Sequence, residues 1–298
     1  LPNEEVHSLF EDRDGYIWAG TVDGLARLEG TRIRVFHHDH NDSTTLAHDQ
    51  VNGIAQDGSG TLWFVTMDGL SEFDPVRGTF INRRIAATGI NARQANRMRQ
   101  VIALGDTMLW LVTEAGLYRY DVRNAAFTCA QGLPAGEGPA GLIHASAALF
   151  WDPASATLWA GTRHGLASWD ARSGRWTDHR NATREPWAST DETNAPMVHG
   201  DSLWFLRNKP YTLFAYDLKR GVLHTQPDLE AQPNLFTLRC QAFDPDGRHW
   251  LSTWTHRLYQ HLPGEPWREL HATRSEPGSL VSARVGAMLR TRSGERWF

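Results

Sequence analysis

The sequence predicts an all-β fold of repeated four-stranded antiparallel units, on three observations. Tryptophans recur at a nearly fixed interval: Trp18, Trp63, Trp110, Trp159, Trp204, Trp250 and Trp297 are spaced 45, 47, 49, 45, 46 and 47 residues apart. Each sits in a short apolar run bounded by Gly, Asp or Ser. No stretch carries the sustained 3.6-residue period of an amphipathic helix. Four-stranded units repeating every 40–50 residues, stacked face to face, are the pattern of a β-propeller.

Seven Trp positions predict seven blades in one domain spanning residues 1–298. The expected bounds are 6–50, 51–100, 101–145, 146–196, 197–239, 240–284 and a partial 285–298. Each unit begins with an apolar strand such as "VHSLF", "VNGIA" or "VIAL". A turn follows, "DRDG", "DGSG" or "DPDG", which supplies a hydrogen-bonding side chain and a Gly able to take φ > 0. Then come the Trp strands "YIWAGT", "TLWFVT", "MLWLVT", "TLWAGT" and "SLWFLR". Burying one indole between neighbouring sheets stabilises by about 3 kcal/mol or more. A second tight turn leads to "GLARL", "GLSEF", "GLYRY", "GLASW" or "TLFAY", and a short fourth strand closes the unit. The seventh unit, "VGAMLRTRSGERWF", holds sequence for two strands and is read as incomplete. The chain, which starts Leu-Pro, is read as a piece of a longer polypeptide.

Composition narrows the function. Hydrophobic residues are 41% and charged residues 21% of the chain, the balance of a globular protein. A net charge of −4 gives no case for nucleic acid or an anionic membrane surface. Only two of the 30 basic residues are lysine, Lys209 and Lys219. No apolar run is long enough to span a bilayer. Cys129 and Cys240 lack both metal-ligand spacing and a disulfide framework, and read as two buried thiols.

These repeats resemble the two-component regulator propeller family. The likeness is carried by "VHSLFEDRDGYIWAGTVDGLARLEGTRIRVFHHDHNDSTTLAHDQV", with its leading Val, Asp-Gly turn, Trp strand, Gly-Thr and Gly-Leu. Asp74, Asp121, Asp170 and Asp217 match the Asp near the end of the family's third strand. The spacer "HHDHNDSTTLAHDQV" also has a same-length counterpart in "HATRSEPGSLVSARV". In blades five and six "RNKPYTLF" and "STWTHRLY" replace Gly-Thr and Gly-Leu, so the likeness weakens there. The resemblance implies a periplasmic sensor region of a bacterial membrane receptor, without catalysis of its own. It also implies an immunoglobulin-like connector and signalling domains, kinase or cyclase, further along the same polypeptide.

Loops held by a rigid scaffold are where a ligand is expected. The turns between second and third strands offer Asp23, Asp68 and Glu114, then Arg163, His164, Lys209, Trp254 and His256. This ring of opposite charges suits a small polar ligand or oligosaccharide, with Trp254 as a stacking platform. The connector from Ile81 to Gln100 carries five arginines and no acid, and Arg93 and Arg97 suit an acidic saccharide or a partner's acidic loop. The run His37, His38, Asp39 and His40, with His48, invites a metal, but consecutive residues rarely converge on one ion. No metal or cofactor is expected. Two alternatives remain: a propeller that binds a protein or a second copy of itself, and a glycoside hydrolase or lyase using Asp23, Asp68 and Glu114.

Overall fold

The computed structural model describes residues 1–86, 90–130, 148–162, 165–179, 193–208, 211–226, 229, 238–255, 257–271 and 285–298. The chain divides into two compact units, Leu1–Ala148 and Leu149–Phe298. In the first, blade 1 is β1 (Val6–Glu11), β2 (Ile17–Thr21), β3 (Gly24–Glu29) and β4 (Arg32–Phe36). Blade 2 is β5 (Val51–Gln56), β6 (Leu62–Thr66), β7 (Gly69–Asp74) and β8 (Thr79–Arg83). A short helix, α1 (Ile90–Asn96), leads to blade 3: β9 (Met98–Leu104), β10 (Met108–Thr113), β11 (Gly116–Asp121) and β12 (Ala126–Cys129).

The second unit repeats the plan. Blade 4 is β13 (Leu149–Asp152), β14 (Thr157–Thr162), β15 (Gly165–Asp170) and β16 (Arg175–Asp178). Blade 5 is β17 (Thr193–His199), β18 (Ser202–Asn208), β19 (Tyr211–Asp217) and β20 (Val222–Thr225). Blade 6 is β21 (Leu238–Phe243), β22 (His249–Thr253), β23 (Leu258–His261) and β24 (Arg268–Leu270). In every blade the four strands are antiparallel and follow one another in chain order. Last come β25 (Leu289–Arg290) and β26 (Arg296–Trp297), which among the described residues pair only with each other.

Among the described residues the all-β propeller therefore has six four-stranded blades, and the expected count of seven is corrected. The Trp interval counts Trp-bearing hairpins, and a hairpin is half a blade. The seventh hairpin has two-residue strands and no outer pair among the described residues, and Trp297 stays half-exposed. By contrast, Trp18, Trp63, Trp110, Trp159 and Trp250 are buried, and Trp204 is half-buried. The helix α1 was also unforeseen: its seven residues make just under two turns, too few to show a period. Cys129 and Cys240 are free thiols, half-buried rather than buried.

The Trp strands fill the gaps between neighbouring sheets, as the repeat implied. Trp18 of blade 1 meets Phe64 and Phe73 of blade 2 at centroid distances of 5.2 and 5.3 Å. Trp63 of blade 2 meets Tyr120 of blade 3 at 5.5 Å. Gly20, which follows Trp18 by two, shows how close the sheets come: a Cβ there would lie 2.7 Å from the carbonyl oxygen of Val51 in β5.

The turn residues have distinct tasks. Asp12 and Asp57 each accept turn amides with one carboxylate oxygen and the indole N–H of the Trp six residues on with the other, at 2.7 Å to Trp18 and 2.8 Å to Trp63. Asp244 holds Trp250 in the same way at 2.9 Å. The Thr of Gly-Thr caps the next hairpin: Thr66 Oγ1 donates to Gly69 O at 3.0 Å and accepts from Asp68 N at 3.1 Å. Thr21 and Thr113 do the same. Gly69 has φ +122° and a Cβ there would stand 2.6 Å from Arg83 O. Gly69→Ala is expected to lower stability by about 2 kcal/mol, read as the shift of the urea midpoint, and an unchanged midpoint would contradict this account.

Candidate functional site

An open cavity of 1070 Å³ lies in the first unit, at the end of blade 2 that carries the β6–β7 turn. Three pieces of chain wall it. The spacer after blade 1 contributes His38, Asp39, His40 and His48; the β6–β7 turn contributes Met67 and Asp68; the segment from β8 to β9, which includes α1, contributes Arg84, Arg93 and Arg97.

Each wall is held by bonds that can be traced to the sequence. The spacer is pinned by Leu46, fully buried among Trp18, Phe64 and Phe80. Its backbone is tied to blade 2 by Phe80 N donating to Thr44 O at 2.7 Å and Asn82 Nδ2 donating to Thr45 O at 2.8 Å. Short polar side chains shape its turns: Asp39 accepts from Asn41 N at 2.8 Å and Asp42 from Thr44 N at 2.9 Å. On the opposite wall, buried Asn96 of α1 accepts from Ile85 N at 2.7 Å and donates to Ile85 O at 3.0 Å. That reciprocal pair fixes α1 against the chain leaving β8, and so places Arg93 and Arg97.

The charges are distributed unevenly. Arg84 pairs with Asp68 at 2.7 Å, and both side chains are about half exposed, 49% and 50%. Glu114 is 14% exposed and receives Arg99 at 2.5 Å and Arg97 at 3.3 Å. Burial alone would push the Glu114 carboxyl up; hydrogen bonds from Arg99 and Arg97, with their charges, outweigh it and hold the group below its ordinary value. Arg83 is taken by Glu72 at 2.6 Å. The connector that looked uniformly basic is therefore largely neutralised by acids from β7 and two hairpin turns. Arg93 is exposed and has no carboxylate within ion-pair distance among the described residues.

Of the residues singled out from sequence, the structure brings Asp68, Arg93 and Arg97 to one cavity, with Glu114 behind Arg97. Asp23 is exposed on the β2–β3 turn and does not line it. Trp254 lies in the second unit, 54% exposed, with the Arg239 guanidinium 4.6 Å from its ring centroid. Arg163, His164, Lys209 and His256 lie outside the described residues. Arg84, Asn82 and the spacer histidines were missed as cavity residues. The equal length of the two spacers was the one signal that this segment has a defined shape.

Among the described residues no three His, Cys, Asp or Glu side chains are placed to share a metal ion. The rings of His38 and His40 meet edge to face at 4.5 Å, with His38 Nε2 3.1 Å from His40 Nδ1. His48 Nδ1 accepts from Gln50 N at 2.9 Å. No helix among the described residues is long and apolar enough to cross a membrane.

No curated protein matches the chain. Residues 1–23 match the family model described as two component regulator propeller. Among solved structures, the extracellular domain of the hybrid two component system BT4673 of B. thetaiotaomicron aligns over 100% of this chain and 37% of its own, at TM-score 0.74 and 16% identity. The corresponding domain of BT3049 from the same organism aligns over 100% and 50%, at TM-score 0.50 and 17% identity. PorZ, a surface component of the type-IX secretion system of Porphyromonas gingivalis, aligns over 84% and 37%, at TM-score 0.62 and 14% identity. The chain thus spans half or less of the length of these relatives, and the likeness to them is one of fold. Residues 1–23 thus match the two component regulator propeller model, and the chain as a whole shares the propeller fold of those extracellular domains.

Proposed function

We propose that this chain is a non-catalytic sensing propeller from the extracytoplasmic, periplasmic part of a membrane receptor, and that it recognises a small polar ligand in the cavity beside blade 2. The observation that carries the reading is the cavity itself: polar side chains from three separate segments converge on it, on a scaffold of buried Trp strands. Signalling then follows from differential binding. A ligand that prefers one arrangement of propeller and connector shifts that equilibrium toward it.

The acids a glycosidase would need support a non-catalytic reading. Asp68 is engaged by Arg84, and Glu114 by two arginines that keep it ionised, so neither is set up as a general acid. The test is a thermal-shift panel of neutral and acidic saccharides and amino acids, run on the parent and on Ile81→Trp. Ile81 lines the cavity and is 48% exposed, so a larger ring there obstructs the cavity without entering the core. A concentration-dependent rise in Tm for the parent, lost in Ile81→Trp, is expected. A rise that survives Ile81→Trp would move the site elsewhere, and no rise at all would favour a protein partner or a second copy of the chain.

A further inference from the structure

We infer that the ligand of this cavity carries a carboxylate, received by Arg93 together with Arg84, which gives up Asp68 to take it. The inference rests on the cavity being the recognition site and adds the chemical class of its ligand.

Three observations carry it. First, the basic wall has one cation with no acid of its own among the described residues, Arg93, and it is exposed to the cavity. A guanidinium presents a planar fork of donors matched to the two oxygens of a carboxylate. Second, the two remaining arginines are held to different degrees. Arg97 belongs to a shielded arrangement in which Glu114 also receives Arg99. Arg84 shares only Asp68, in a pair whose two members are half exposed to solvent. Exposed pairs of this kind contribute little, so exchanging the Asp68 carboxylate for that of a ligand loses little. The pair works as a latch that marks where a carboxylate is already accepted.

Third, the opposite wall excludes the reverse orientation. Asp39, Asp42 and Asp49 stand there, with their carboxylates engaged by backbone amides of Asn41, Thr44 and His38 at 2.8, 2.9 and 2.7 Å. These groups are fixed in place and would repel an anion. The carboxylate of the ligand accordingly points at α1, and its uncharged polar part at the spacer and its histidines.

Binding of galacturonate, glutarate and galactose, measured by titration calorimetry on the whole chain, tests this. Galacturonate and glutarate share the carboxylate and differ in the sugar ring, so they separate an acidic saccharide from a simple organic acid. At least one should bind more tightly than galactose, and weaken several-fold between 50 and 300 mM salt, over which the screening length falls from about 14 to about 6 Å. Arg93→Ala should weaken it about ten-fold or more, the loss of one charge-assisted contact. Asp68→Asn frees Arg84 while its backbone N–H keeps the bond to Thr66, and should tighten binding. Equal binding of galactose, indifferent to Arg93→Ala and Asp68→Asn but lost in Ile81→Trp, would overturn the carboxylate and leave the cavity standing. Acid binding that survives Ile81→Trp would overturn the cavity itself. Silence from all three probes would overturn the proposed class.

Discussion

Asp57→Ala is expected to destabilise the first unit by about 2–4 kcal/mol, read as the urea midpoint of its unfolding transition. Asp57 is 1% exposed and both of its carboxylate oxygens are in use. One accepts Ser59 N at 2.9 Å, Ser59 Oγ at 2.6 Å and Thr61 N at 3.0 Å; the other accepts the Trp63 indole N–H at 2.8 Å. Truncation leaves water to replace the turn bonds, because Ser59 is exposed, but no water can reach the buried indole. An unsatisfied buried donor costs about 1–3 kcal/mol, and bonds to a charged acceptor are worth more than neutral ones. Asn would not substitute well, since its amide nitrogen would face one set of donors. The control is Asp42→Ala, the same kind of turn on the exposed spacer, expected to cost below about 1 kcal/mol. A second check is that Asp57→Ala costs less in a Trp63→Phe background, where the indole donor is already gone. If Asp57→Ala and Asp42→Ala proved alike, the carboxylate would not be what holds the Trp strand in place.

This clamp shows what the sequence discloses and what it conceals. The recurring Asp-Gly turn was read as turn chemistry alone. That the Asp also holds the Trp follows from a six-residue spacing, present at Asp12, Asp57 and Asp244. In blade 4 the turn "DPASATLW" puts Asp152 seven residues ahead of Trp159, and the indole N–H there has no hydrogen-bond partner among the described residues. Strands were legible because each is short, apolar and bounded by turn residues. The blade count was misjudged because the Trp marks one hairpin and carries no information on whether two outer strands follow.

The site was legible only in part, for a different reason. Residue type pointed to Asp68, Arg93 and Arg97, but the cavity depends on contacts that no local pattern encodes. Asn96 must reach Ile85, and the spacer must be tied to Asn82 on an outer strand. The basic connector looked unpaired because its acids, Glu72, Asp68 and Glu114, lie on other strands and turns. The spacer histidines were weighed for a metal; the structure gives them backbone and ring partners and makes them a wall.

The second large effect concerns the second unit and pH. His249, in β22, is fully buried: its ring stacks on Phe243 at 3.8 Å and meets Trp204 and Trp267 edge-on at 4.9 and 5.1 Å. Its Nε2–H donates to Gln241 Oε1 at 2.8 Å, an orientation fixed because the Gln241 amide nitrogen donates to Ala195 O. Nδ1 has no hydrogen-bond partner among the described residues. A proton there would be buried unpaired, with His261 and His199 adding repulsion, so burial first and these neighbours second hold His249 well below its ordinary value of 6.5. The folded state then refuses a proton that the unfolded chain accepts. Stability from this group is complete above about pH 6.5 and is lost as pH falls from there toward the folded value, by about 1.4 kcal/mol per pH unit. Phe at this position removes the titration and also the bond to Gln241, which costs about 1–3 kcal/mol at pH 7.5. The two stability curves, measured by urea unfolding from pH 7.5 to 5, are therefore expected to start apart and converge. Curves that ran parallel would show that His249 accepts its proton in the folded state as readily as in the unfolded one.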